Sequence, residues 1–217
     1  MNHRLISLLL GIGIMMSLLL IAGRFSGARL PANQQGYEPV QPIAYSHRLH
    51  AGELQIDCQY CHVAASSSRH AGIPSGSICM NCHKQVKATF GVVRQEDEAA
   101  TAEKRPRRDV VSPELRKLFV DLGLDPSKDL KDQQVTQTVA WTRVHRLPDY
   151  VYFDHRAHVN AGVSCQTCHG PVETMERMRQ YATLSMGWCV NCHRDATKNG
   201  INGKPVNASI DCSVCHY

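Results

Sequence analysis

Cys58-Gln-Tyr-Cys61-His62 sets a pattern that the chain repeats four more times, as Cys79-Met-Asn-Cys82-His83, Cys165-Gln-Thr-Cys168-His169, Cys189-Val-Asn-Cys192-His193 and Cys212-Ser-Val-Cys215-His216. All ten cysteines fall in these pairs, so none is left over. Histidine is only 12 of the 217 residues. Finding it by chance after all five pairs has a probability on the order of 10⁻⁷. The pattern therefore reflects chemistry rather than composition.

That chemistry is covalent haem attachment. Two thiols three residues apart can add across the two vinyl groups of one porphyrin, and the adjacent imidazole reaches the iron as proximal ligand. Each motif is expected to carry one haem c, giving five in all. Cys58, Cys61, Cys79, Cys82, Cys165, Cys168, Cys189, Cys192, Cys212 and Cys215 form the thioethers, and His62, His83, His169, His193 and His216 bind iron. Disulfides would account for an even number of cysteines but not for the five histidines. Structural zinc takes four ligands per ion, which leaves one of five Cys pairs unmatched. Iron–sulfur clusters likewise leave the histidines without a role.

Outward from the motifs, the chain repeats itself. His47-x-x-His50 precedes the first two motifs and His155-x-x-His158 precedes the third and fourth; His50 lies eight residues before Cys58 and His158 seven before Cys165. Two related dihaem units with a fifth haem at the C-terminus follow from this arrangement. Imidazoles one helical turn apart can serve two neighbouring irons, so His47, His50, His155 and His158 are the expected distal ligands. His70 and His145 are further candidates, and so are Met186, Met178 and Met175, since methionine is the other usual distal ligand. With a second ligand on every iron no position is open to substrate. The expectation is an electron relay with no catalytic residue, not an enzyme.

The expected boundaries are a membrane anchor at 1–29, a first dihaem unit at 30–90, a charged linker with a short helix at 91–140, and a second dihaem unit plus the fifth haem at 141–217. The fold class is mainly helical with much irregular loop and no strong strand pattern. Aromatic residues make up 6% of the chain, which is thin for a conventional core, so the porphyrins themselves should fill much of it. In the linker, Ser112-Pro113-Glu114 is a helix start; Leu115, Leu118, Phe119 and Leu122 share one face, and Gly123 can end it. A second amphipathic stretch runs from Pro171 to about Leu184, with Met175, Met178 and Ala182 on one side. Residues 199–207 read as loop.

Leu5 to Gly23 carries no charge and is long enough to cross a bilayer. A cleaved signal peptide normally has a shorter apolar region and a small-x-small site, which Ala22-Gly23 matches poorly. An uncleaved single-pass anchor is expected. Arg4 favours a cytoplasmic N-terminus, whereas Arg24 and Arg29 weaken that argument. Covalent haem attachment takes place outside the cytoplasmic membrane and so sets the haem region in the periplasm of a bacterium. The net charge of +5 includes Lys104, Arg105, Arg107 and Arg108, but Glu96, Asp97, Glu98, Glu103 and Asp109 interleave or flank them. This is a solvated mixed-charge segment, not a nucleic-acid surface.

The tandem His-x-x-His and Cys-x-x-Cys-His arrangement resembles the class III multihaem cytochromes c. Further stretches are Tyr37-Glu-Pro-Val-Gln-Pro-Ile43, Tyr45-Ser-His-Arg-Leu-His-Ala-Gly52, His70-Ala-Gly-Ile-Pro-Ser75, Val144-His-Arg-Leu-Pro-Asp-Tyr-Val-Tyr-Phe-Asp-His155 and Met186-Gly-Trp-Cys-Val-Asn-Cys-His193. With five motifs and an N-terminal anchor, these resemble the pentahaem cytochrome subunit of bacterial alternative complex III over most of the chain, least so at 94–135. The resemblance implies a wire within a quinol-oxidising respiratory complex. Its partners would be an iron–sulfur/molybdopterin-like subunit, membrane subunits that hold the quinol site, a monohaem cytochrome c and a terminal oxidase. The alternatives are a stand-alone quinol dehydrogenase of nitrate or nitrite respiration, a multihaem enzyme with one open haem, and a soluble storage cytochrome.

Overall fold

In a computed structural model, residues 3–25 and 34–217 are described. Arg29 and the expected boundary between residues 29 and 30 lie outside them. Among the described residues helices dominate, and the only β pairings are the isolated bridges Val151↔His216 and Ile201↔Lys204. The mainly helical, loop-rich class is as expected.

The first helix, α1 (His3–Phe25), holds a 21-residue stretch, His3–Gly23, with mean hydropathy 2.7. Its apolar side chains are exposed all round. Helices apolar on every side belong in a bilayer or a large core, and α1 is long and apolar enough to cross a membrane.

Cysteine motifs head or fill α2 (Cys58–Cys61), α3 (Gly76–His83), α7 (Cys165–His169), α8 (Met186–Asn199) and α9 (Cys212–Cys215). A Ser or Asp precedes every one of these helices. Asp57, Ser185 and Asp211 accept backbone N–H groups from Gln59, Trp188 and Ser213, which satisfies donors that a helix start otherwise leaves unpaired. In the first, third and fifth motifs the cap residue directly precedes the first cysteine, whereas Ser75 and Ser185 stand four residues ahead of Cys79 and Cys189. Short and long helices therefore alternate along the chain.

Between the two halves lie α4 (Phe90–Ala102) and α5 (Pro113–Asp121). Helix α5 starts where Ser112 Oγ accepts the Leu115 N–H, and Gly123 follows it at φ +75°. The charged segment is more than a tether. Leu118, Phe119, Leu122, Leu124 and Leu130 join Ile43 and Met80 in the one apolar cluster of the described residues, with Leu115, Val135, Val139 and Trp141 packed on its rim. Glu96 and Arg105 form an ion pair, and the Arg108 N–H also donates to Glu96. The linker is thus a folded element that backs the second motif through Met80.

The expected amphipathic element at 171–184 is not a helix. Only a single 3₁₀ turn forms, Val172–Thr174, and the chain then runs on without regular structure. Met175 and Ala182 are nonetheless buried, because Gln180 ties this stretch down. It exchanges backbone bonds with Gly36 and Tyr37, and its side-chain amide donates to the Ala182 carbonyl. The segment Arg48–Glu53, wound as a π-helix, packs on the 172–174 turn, and the Arg48 N–H donates to the Met175 carbonyl at 2.9 Å. Those contacts join the two halves of the molecule.

Candidate haem-binding site

In the second, third and fourth motifs the two cysteines and the histidine occupy positions i, i+3 and i+4 of one helix and so share a face. In the first and fifth the helix ends at the second cysteine, and His62 and His216 follow it in non-helical conformation. All ten thiols are free, and among the described residues no three His, Cys, Asp or Glu side chains converge as a directly held metal ion requires.

The histidine tautomers supply a sharper test of fit. His62 Nδ1 lies 2.7 Å from the Gly72 carbonyl, His83 Nδ1 2.8 Å from Val86, and His193 Nδ1 2.6 Å from Ser209. His50, His155 and His158 do likewise with the carbonyls of Ser46, Arg69 and Asp154 at 2.9, 3.0 and 2.8 Å. A carbonyl only accepts, so each Nδ1 carries the proton and each Nε2 keeps a free lone pair. Six imidazoles thus present an unprotonated Nε2, each oriented through Nδ1 by a backbone carbonyl, the kind of contact that usually supports a metal-binding histidine.

Spacing between the rings points the same way. Two imidazoles on opposite sides of one metal, each bound at about 2 Å, place their ring centres roughly 6 Å apart. His50 and His83 are separated by 6.2 Å, His155 and His169 by 6.3 Å, and His158 and His193 by 5.9 Å. In each half, the second histidine of the His-x-x-His pair faces the proximal histidine of that half's second motif. Burial, followed by His62 and His50, lowers the His47 pKa to about 4, so His47 adjoins the first motif. Its Nδ1 is buried without a partner.

Other candidates are placed less uniformly. His145 Nε2 meets His169 Nδ1 at 3.2 Å. Burial and then His145 and His155 lower His169 to about 3. His70 is exposed, and its neighbour Arg69 lies over the Tyr152 ring at 4.2 Å. The Tyr152 N–H in turn donates to the Cys215 carbonyl, which brings this corner next to the fifth motif. Met175 is buried, Met178 half-buried and Met186 exposed at the head of α8. His216 stacks beside Tyr150 at 5.9 Å, a neighbour that periodicity and spacing gave no reason to single out.

The thiols form a line. Burial and then Cys82 raise Cys61, while burial and then Cys61 raise Cys79. Cys58 is raised by burial and by Cys165, with which it shares a hydrogen bond. Burial and the neighbouring Cys192 push Cys168 up to about 11, and burial and Cys215 raise Cys189. Each motif thus adjoins the next in the order second, first, third, fourth, fifth.

The family described as cytochrome c7 and related cytochrome c matches residues 151–217, and that of cytochrome c554 and c-prime matches residues 78–170. Each match covers less than half of the chain, and both are similarities to families of c-type cytochromes. Haem c bound covalently through Cys-x-x-Cys-His is the cofactor of that group. A relative in Nitratidesulfovibrio vulgaris (strain Hildenborough), the multiheme cytochrome c subunit of menaquinone reductase, is 25% identical over 196 residues, covering 81% of this chain and 76% of the relative. The high-molecular-weight cytochrome c of the same organism is 25% identical over 185 residues, or 73% of this chain but only 29% of that protein.

Proposed function

We propose that this chain is a multihaem c-type cytochrome that carries five haems c and relays electrons within a membrane-bound, quinone-linked respiratory complex. The haems supply reversible one-electron chemistry; the polypeptide fixes their order, spacing and axial ligands. The observation that carries the reading is the single line of thiols from Cys79/Cys82 to Cys212/Cys215. A catalyst needs one privileged iron, whereas a relay needs every iron to have a neighbour on the path.

The residue roles follow. The ten cysteines form thioethers, and His62, His83, His169, His193 and His216 are proximal ligands. His50 lies opposite His83, His155 opposite His169 and His158 opposite His193, with His47 serving the first motif. His70, whose neighbour reaches the Cys215 corner, is the nearest candidate for the fifth. Helix α1 anchors the chain in the cytoplasmic membrane of a bacterium, with the haem region in the periplasm.

We take the complex to be of the alternative complex III kind, so that electrons from quinol leave toward a cytochrome c or a terminal oxidase. The 25% identical subunit of menaquinone reductase favours a second reading, in which the same wire runs toward menaquinone. Purification in mild detergent, with mass spectrometry of co-purifying chains and mixing with a quinol analogue, tests both. Iron–sulfur and quinol-site subunits that reduce this chain from quinol support the first reading. Reduction of menaquinone from the reduced cytochrome supports the second. Isolation of this chain alone, directly reduced by quinol, contradicts a subunit role.

A further inference from the structure

The proximal histidines do not share one environment. His62, His83 and His193 each rest their Nδ1 on a backbone carbonyl. His169 rests its Nδ1 on another imidazole, the Nε2 of His145, at 3.2 Å with ring centres 4.5 Å apart at 81°. If His169 binds iron through Nε2, as the reading above has it, its Nδ1 must carry the proton and donate it. His145 Nε2 is then the acceptor, its lone pair is engaged, and that nitrogen cannot also bind an iron. The ring at the spacing of a second axial ligand from His169 is His155, with centres 6.3 Å apart and ring planes nearly parallel at 9°.

We infer that His145 is a positioning residue for the haem of Cys165 and Cys168, an imidazole acceptor that orients and polarises His169 rather than a distal ligand. An imidazole nitrogen accepts more strongly than a peptide carbonyl. It draws the Nδ1 proton further, makes His169 the more basic ligand and favours the oxidised iron. The motif so treated stands at the middle of the thiol line, where Cys58 meets Cys165 and the two halves of the chain join. His145 is held there by its own segment: Val144 beside it is buried, and Arg143 Nε donates to the His145 carbonyl at 3.0 Å. This inference rests on the haem reading, and the haem content of the unaltered protein tests that reading separately.

The experiment compares the purified holoprotein with its His145→Leu and His145→Gln variants by haem mass, electron paramagnetic resonance and spectroelectrochemical titration. His145→Leu should keep every haem and every low-spin signal while one midpoint potential moves upward and the others stay. His145→Gln, whose amide oxygen still accepts, should move the same potential by less. A new high-spin signal in either variant would show that His145 is a distal ligand and overturn the inference. Unchanged potentials in both variants would overturn it as well. Should His145→Leu yield no holoprotein, the smaller selective shift in His145→Gln decides the matter alone.

Discussion

The two halves of the molecule repeat the same His-x-x-His and Cys-x-x-Cys-His motifs on different supports. In the first, residues 47–83, the second cysteine helix rests on protein: Met80 is buried with Ile43, Leu118, Phe119, Leu122 and Leu130. The corresponding helix of the second half, α8, has only Ala196 buried. Elsewhere in that half, Val144, Met175 and Ala182 are buried but outside that cluster. The histidine pairs differ as well. His155 and His158 lie on α6 (His155–Asn160), capped by Asp154, whereas His47 and His50 lie at the start of a π-helical segment where Ser46 Oγ accepts the Leu49 N–H. On the proposed reading haem would take the place of this protein core in the second half.

Removing attachment points should break that comparison most visibly. Cys189→Ala/Cys192→Ala should cut the yield of protease-resistant chain several-fold, because little else packs against α8. Cys79→Ala/Cys82→Ala should leave the α5 core protected in the same limited proteolysis. Equal loss in both variants would mean that the halves do not differ in support.

Phe119→Ala acts on the other side of the contrast. Phe119 is fully buried, and removing a buried phenyl ring typically costs about 3–5 kcal/mol. Denaturant unfolding followed by the absorption of the haems should show an early transition for the first half, with the second half shifted less.

Gly170→Ala sharpens the contrast at one residue. Gly170 follows His169 at φ +72°, and a Cβ there would lie 2.3 Å from the Tyr181 ring. The first half has Val63 after His62, so its chain leaves the motif by another path. Thermal unfolding should register a loss of about 1–3 kcal/mol, with Val63→Ala nearly silent.

The smallest effect concerns the linker. Arg105 and the Arg108 N–H hold Glu96 down to about 2, below its ordinary 4.5. A carboxylate whose folded pKa is depressed adds stability that is complete above 4.5 and lost as pH falls toward about 2. Glu96→Gln should flatten stability against pH in that window alone, as acid titration of far-ultraviolet dichroism would reveal.

Much of this was legible in the sequence because covalent cofactor chemistry demands fixed residues at fixed spacing. The five motifs, the two His-x-x-His pairs and the apolar α1 needed no tertiary information. Helix α5 was readable from Ser112, Pro113 and its leucines. What stayed hidden depended on distant partners. Helix α4 lacks a clean apolar face, with only Ala100 buried, so periodicity does not announce it. Residues 171–184 have helical spacing but are held extended by Gln180 and by Arg48. The order of the motifs and the position of His145 arise from contacts across the two halves, which no local pattern encodes. One local signal went unread: the cap serines four residues before Cys79 and Cys189 foretell the longer helices.

The account stands or falls on the number of haems held by thioether bonds. Intact-mass measurement of the denatured, purified chain tests it most directly. The predicted result is the polypeptide mass plus five haem groups that survive acid-solvent extraction, with no titratable thiol. Fewer than five bound haems, or haem that extracts and leaves free thiols, would contradict the account.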